Sequence, residues 1–133
     1  MNEFVLDSYA LIAFFEDESG SEKVERILKQ AENSKANLLM SIINWGEVYY
    51  SIYRTKGEEK AEEALLIIEQ LPIKIIEADI NLMYHTARLK ANHPIALGDC
   101  MAAALAINQN CPVITGDKEF KKLGNKVKVE WIK

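Results

Sequence analysis

"EFVLDSYALIAFF", residues 3–15, decides the fold. A short apolar run stops at Asp7, and an amphipathic stretch follows at once. A strand that passes into a helix through a single aspartate is the opening of an α/β layered unit. The pattern returns near the other end of the chain in "PVITGDKEF" (112–120), where an apolar strand, a Thr-Gly turn and Asp117 stand in succession.

Outward from these two stretches, apolar runs alternate with helical ones. Val24, Ile27, Leu28 and Ala31 fall at i, i+3, i+4 and i+7 in "SEKVERILKQAEN" (21–33), and Ala61, Ala64, Leu65 and Ile68 repeat the spacing, so both stretches are expected as surface helices. Strands are expected at "EFVL" (3–6), "NLLMS" (37–41), "IKII" (73–76), "PVIT" (112–115) and "KVKVEW" (126–131), and further helices near 79–91 and 98–109. "SIINWGEVYYSIYR" (41–54) reads as a helix with Trp45, Tyr49 and Ile52 as its buried stripe. Pro72 ends the helix before "IKII", and Gly57 separates two helices. Strands joined through helices imply right-handed crossovers and a mainly parallel sheet. With 133 residues, no repeat and no long linker, the chain is expected to be one domain, 1–133.

Composition narrows the function without naming it. The net charge of -4 argues against a broadly electropositive surface of the kind that grips nucleic acid, although ions bound by clustered carboxylates would change the local sign. No run approaches the ~20 apolar residues of a membrane span, and Met1 leads straight into "FVLD", so a soluble, cytoplasmic protein is expected. Cys100 and Cys111 fit neither a paired-thiol nor a zinc spacing and read as core thiols.

Four acidic residues carry the chemistry. In a parallel α/β sheet, ligands bind beyond the carboxyl ends of the strands, where the strand order reverses. Asp7 follows a strand directly, Asp117 follows one by way of Gly116, and Asp99 opens "DCMAAALAI", whose Ala102, Ala103 and Ala106 share its face. Each of the three is also placed to be a helix cap. Asp79, ahead of "INLMYHTARL", is read as a cap alone. Glu47 lies too far inside its helix to cap it and is off the apolar stripe. Converging carboxylates repel one another, and a divalent cation removes the conflict. All-oxygen donors favour Mg²⁺ or Mn²⁺ over zinc, and His85 and His93 are read as a surface and a loop residue. Such an ion acts most often on phosphates.

With these residues in place, the chain resembles the PIN-domain family, and more narrowly the VapC-like ribonuclease toxins of type II toxin-antitoxin pairs. "FVLDSYALIAFF" is similar to the family's first strand and aspartate, "SIINWGEVYYSIYR" to its glutamate helix, "LGDCMAAALA" to its second aspartate and "VITGDKEF" to its strand-Thr-Gly-Asp ending. The resemblance implies a three-layer α/β/α sandwich around a mainly parallel five-stranded sheet in the order 3-2-1-4-5. It implies metal-dependent RNA cleavage by an activated water, with Asp7, Glu47, Asp99 and Asp117 holding Mg²⁺ (or Mn²⁺). Ser8 and Thr115 become supporting or substrate-contacting hydroxyls, and Asn44 stands where many relatives carry Ser or Thr. An RNA substrate, an antitoxin partner and a homodimer are implied as well. The stripes of 22–31 and 61–71 offer either core packing or an antitoxin groove.

Arg54, Lys56, Arg88, Lys90, Lys118, Lys121 and Lys122 are either substrate contacts or solvated helix faces, and Tyr50 and Tyr53 either base-stacking or interface residues. Two other readings compete. A phosphate-accepting receiver domain needs an acceptor aspartate on the middle strand, where "IKIIEAD" offers only Asp79. A non-catalytic PIN-fold module binding RNA or protein remains open.

Overall fold

The computed structural model describes residues 2–133. Strand β1 (Asn2–Leu6) leads through Asp7 into α1 (Ser8–Phe15) and α2 (Ser21–Glu32). Strand β2 (Ala36–Ser41) runs directly into α3 (Ile42–Lys56), which Gly57 separates from α4 (Glu58–Gln70). Strand β3 (Ile73–Ile76), α5 (Ile80–Asn92), α6 (Leu97–Asn108) and β4 (Val113–Thr115) follow; a 3₁₀ segment (Lys118–Lys126) then leads to β5 (Val129–Trp131).

The five strands form one sheet in the order β3-β2-β1-β4-β5, and every pairing is parallel. β1 is central, with Val5 paired to Leu39 on one side and Val113 on the other. The chain moves outward from β1 to β2 and β3, then returns past β1 to β4. The strand order therefore reverses between β1 and β4, and the crevice between them opens at their carboxyl ends.

Two apolar layers sandwich the sheet. On one side Val24, Ile27 and Leu28 of α2 join Val48 and Ile52 of α3 and Ala61, Ala64 and Ile68 of α4. On the other, α6 is buried from Cys100 to Ala106, held between the sheet, α5 and the 3₁₀ segment. Its run of alanines allows that close approach, since a small side chain keeps the helix axis near the strands. Both cysteines are free and buried, as expected. The stripes of α2 and α4 serve the core, and the apolar residues that α4 leaves exposed are Leu66 and Ile67.

Three expectations need correction. The buried stripe of α3 is Asn44, Val48 and Ile52, whereas Trp45 and Tyr49 are half-buried at its margin. Asn44 is 0 % exposed because its amide is fully used in hydrogen bonds, which a reading by hydrophobicity overlooks. Asp99 is not a cap: α6 starts at Leu97 after Ala96, so Asp99 lies inside the first turn. The last strand is Val129–Trp131 and not the whole of 126–131, because the 3₁₀ segment runs to Lys126.

Candidate active site

Each acidic residue reaches the β1/β4 crevice by a different local device. Asp7 ends β1 and caps α1, its Oδ1 accepting from the Ala10 amide at 2.9 Å. Its other oxygen, Oδ2, accepts a hydrogen bond from the Thr115 hydroxyl at the end of β4. Thr115 in turn accepts from the Asp117 amide at 3.0 Å, so one hydroxyl ties the first aspartate to the last. Asp117 caps the 3₁₀ segment, accepting from the Glu119 amide at 2.9 Å. Asp79 caps α5 through the Leu82 amide at 2.8 Å and stands apart from this edge after β3.

Glu47 reaches the edge from the second turn of α3. Its Oε1 accepts from the Ser8 hydroxyl at 3.0 Å and from the Asn44 Nδ2 group at 2.8 Å. Asn44 also donates to the Gly98 carbonyl at 3.3 Å, which links α3 to the first turn of α6. Gly98 makes this approach possible. A Cβ there would stand 2.3 Å from Glu47 Oε2 and 2.5 Å from Oε1, well inside contact distance. Asp99, the next residue, carries its carboxylate from the same turn.

Burial and mutual repulsion show in the ionisation of the site. Asp7 is 1 % exposed, and burial pushes its carboxyl up to about 8. The Thr115 and Ala10 hydrogen bonds pull it back in part, and the charges of Asp99 and Asp117 push it up further. Asp99 is raised to about 7, first by burial and then by the charges of Asp117, Glu47 and Glu119. These groups therefore share one field. Among the described residues, however, no three His, Cys, Asp or Glu side chains converge closely enough to cage an ion. The donor set, all hard oxygens and mutually repelling, fits Mg²⁺ or Mn²⁺ in kind; its spacing is open.

The predicted cationic residues do not converge on this edge as one group. Lys90 donates to the Ile95 carbonyl at 2.7 Å, and Lys122 pairs with Glu119 at 2.8 Å. Arg54 and Arg88 lie over the rings of Tyr50 and Tyr84, and Lys121 lies over Trp131. Lys56 closes α3, roughly 13 Å along the helix from Glu47. Lys118, exposed one residue after Asp117, is the basic side chain nearest the acidic edge in sequence. Tyr50 and Tyr53 are exposed, and Tyr49 donates to Glu62 at 2.5 Å.

Sequence reasoning missed Ser41, Gly98 and Glu119. Ser41 carried a signal, because a serine between an apolar strand and a helix is a favoured cap. Gly98, one residue before Asp99, carried none that one sequence can reveal.

The PIN domain family matches residues 4–126. The chain belongs to the PIN domain family. That match includes all four carboxylates. PIN-fold structures similar to this chain include a VapBC2 from Rickettsia felis, bound to a DNA fragment from its promoter, at 18% identity and TM-score 0.77, covering 97% of this chain and 98% of that one. A DNA-bound VapBC from Salmonella typhimurium is 18% identical with TM-score 0.77 over 100% of both chains. The Mycobacterium tuberculosis toxin VapC20, which cleaves the sarcin-ricin loop, is 15% identical with TM-score 0.74, covering 91% of this chain and 95% of that one. The expected PIN-like fold and its strand order are thus both observed. No curated protein matches the chain. Among the described residues, no helix is long and apolar enough to cross a membrane.

Proposed function

We propose that this PIN domain is a divalent-metal-dependent endoribonuclease and the toxin of a toxin-antitoxin pair, with Asp7, Glu47, Asp99 and Asp117 as its catalytic carboxylates. The observation that carries this reading is the state of the acidic edge, where burial and the charges of neighbouring carboxylates hold Asp7 at about 8 and Asp99 at about 7. An edge of this kind is poised to exchange protons for a cation near neutral pH.

The four carboxylates would hold Mg²⁺ or Mn²⁺. When bound, such an ion supplies positive charge that polarises a phosphodiester and acidifies the water beside it. The protein's part is placement. Thr115 keeps Asp7 Oδ2 and the Asp117 amide in register across β1 and β4. Ser8 and Asn44 hold Glu47 against α6. Water attacks phosphorus as the P–O3′ bond breaks, and the departing oxygen takes a proton, which leaves 5′-phosphate and 3′-hydroxyl ends. No side-chain nucleophile is required.

The partners proposed are an RNA substrate, an antitoxin and a second copy of the chain. Similar structures include a toxin-antitoxin complex and a member of the VapBC family of toxin-antitoxin systems, which supports the antitoxin. The exposed apolar residues of α4, Leu66 and Ile67, and the exposed tyrosines of α3 are surfaces on which protein partners can dock.

The deciding experiment incubates a mixed transfer and ribosomal RNA pool with purified protein and Mg²⁺ or Mn²⁺, against chelator and against Asp99→Asn. Discrete fragments that require both the ion and Asp99 are expected. Undiminished cleavage by Asp99→Asn would remove that residue from the site, and intact RNA throughout would favour a binding module.

A further inference from the structure

Glu47 stands among acidic neighbours, and its orientation is set from behind. Both of its donors, Ser8 Oγ and Asn44 Nδ2, converge on Oε1. Neither reaches Oε2; both oxygens face α6, where a Cβ on Gly98 would stand 2.3 Å from Oε2 and 2.5 Å from Oε1. Side chains therefore hold the carboxylate through one oxygen.

What sets Asn44? A primary amide offers a donor at one end and an acceptor at the other, and either end can face Glu47 unless something fixes the rotation. Here Ser41 supplies the donor for the oxygen end, while Glu47 and the Gly98 carbonyl take the nitrogen end. The Ser41 Oγ accepts from the Asn44 backbone amide at 3.2 Å as the cap of α3, and it donates to Asn44 Oδ1 at 2.7 Å. With Oδ1 occupied, Nδ2 points at Glu47 and at the Gly98 carbonyl. Ser41 and Asn44 are both 0 % exposed, so no solvent competes for these groups. The reversed amide would place Oδ1 against Glu47 Oε1 and the Gly98 oxygen, with acceptors facing acceptors.

We infer that Ser41 is a positioning residue for Glu47. Acting through Asn44, it directs an amide donor onto Glu47 Oε1 and so fixes how the carboxylate stands at the acidic edge. The inference rests on the proposed metal-dependent activity of that edge, and it gives a role to a residue outside the four carboxylates. Groups that orient a ligand in this way typically change metal affinity 10- to 100-fold when removed.

The test uses the full chain and Mn²⁺ alone as probe, with binding followed by electron paramagnetic resonance well below the melting temperature. Ser41→Ala and Asn44→Ala are each expected to weaken Mn²⁺ binding about tenfold. The double variant should be no weaker than Asn44→Ala, because both act through one amide. Ser41→Thr, which keeps the hydroxyl, should restore wild-type affinity. Ser41→Gly guards against simple loss of the cap, since glycine at that position costs only a few tenths of a kcal/mol of helix stability; it should still lose affinity.

A second readout needs no ion. In the metal-free protein, Ser41→Gly should shift the Asn44 side-chain amide resonances and speed their hydrogen exchange. Wild-type Mn²⁺ affinity in both Ser41→Ala and Ser41→Gly, or losses that multiply in the double variant, would overturn the inference. If the wild type binds no Mn²⁺ while the Asn44 resonances respond as described, the metal reading fails and the Ser41–Asn44 orientation stands. Unchanged resonances would overturn the orientation itself.

Discussion

At the scale of single residues, the site depends on close contacts that small changes would break. Gly98→Ala places a methyl group where Glu47 now lies, 2.3 Å from its Oε2. Alanine favours the helix that Gly98 occupies, by about 1 kcal/mol. The expected outcome is a variant that melts near wild type yet has lost tenfold or more of its RNA cleavage, measured side by side with circular dichroism melts. Thr115→Val removes the hydroxyl shared by Asp7 and the Asp117 amide. A buried acceptor then has no donor, at a cost of about 1–3 kcal/mol. Since that hydrogen bond lowers the Asp7 pKa, its loss should drive Asp7 above about 8, detectable by carboxyl NMR titration, and Thr115→Ser should restore it. The places of Asp7 and Asp117 were legible because strand ends are visible in sequence, that of Asp99 because it stands near a helix start, and that of Glu47 because it lies too deep in its helix to cap it. Gly98 was not, since its role lies in a contact with a residue on another helix.

At the scale of elements, the sequence announces type and order well and loses detail at faces and ends. The helix α3 shows why. Aromatic side chains drew the apolar reading to Trp45 and Tyr49, yet the helix buries the face carrying Asn44, Val48 and Ile52. A buried asparagine is costly unless all its groups are satisfied, and here Ser41, Glu47 and Gly98 satisfy them. Val48→Ala should therefore destabilise by about 2 kcal/mol, combining lost burial with a small cavity. Tyr50→Ala, on the exposed side, should stay within about 0.5 kcal/mol in the same urea denaturation series. The 3₁₀ segment was hidden for another reason. "KVKVEW" alternates like a strand, but after Asp117 the chain turns through two short helical pieces, kinked at Gly124, that end at Lys126.

For the whole molecule, the raised carboxyls set the pH dependence of stability. Asp7 and Asp99 have ordinary values of 3.8 and folded values of about 8 and about 7. Between those limits the folded state holds protons that the unfolded chain has released. Their contribution is thus present below about pH 4 and lost as pH rises through 7 and 8. In chelator the melting temperature should fall from pH 5.5 to pH 8.5, and Asp99→Asn should flatten part of the fall. Millimolar Mg²⁺ should shrink it further, because a cation favours the ionised forms. A chelated protein whose melting temperature holds or rises over that range would contradict the assignment. The sheet bears on the molecule's history as well as its equilibrium. The hydroxyl that holds Asp7 comes from a residue 108 positions later, on a strand that follows β2 and β3 in sequence and lies on the other side of β1. A nascent chain emerging from the ribosome carries Asp7 and Glu47 long before it owns Thr115 or Asp117, and Asp99 shortly before. The edge therefore cannot assemble until Thr115 and Asp117 have been added, so a chain stopped short of β4 lacks the proposed site.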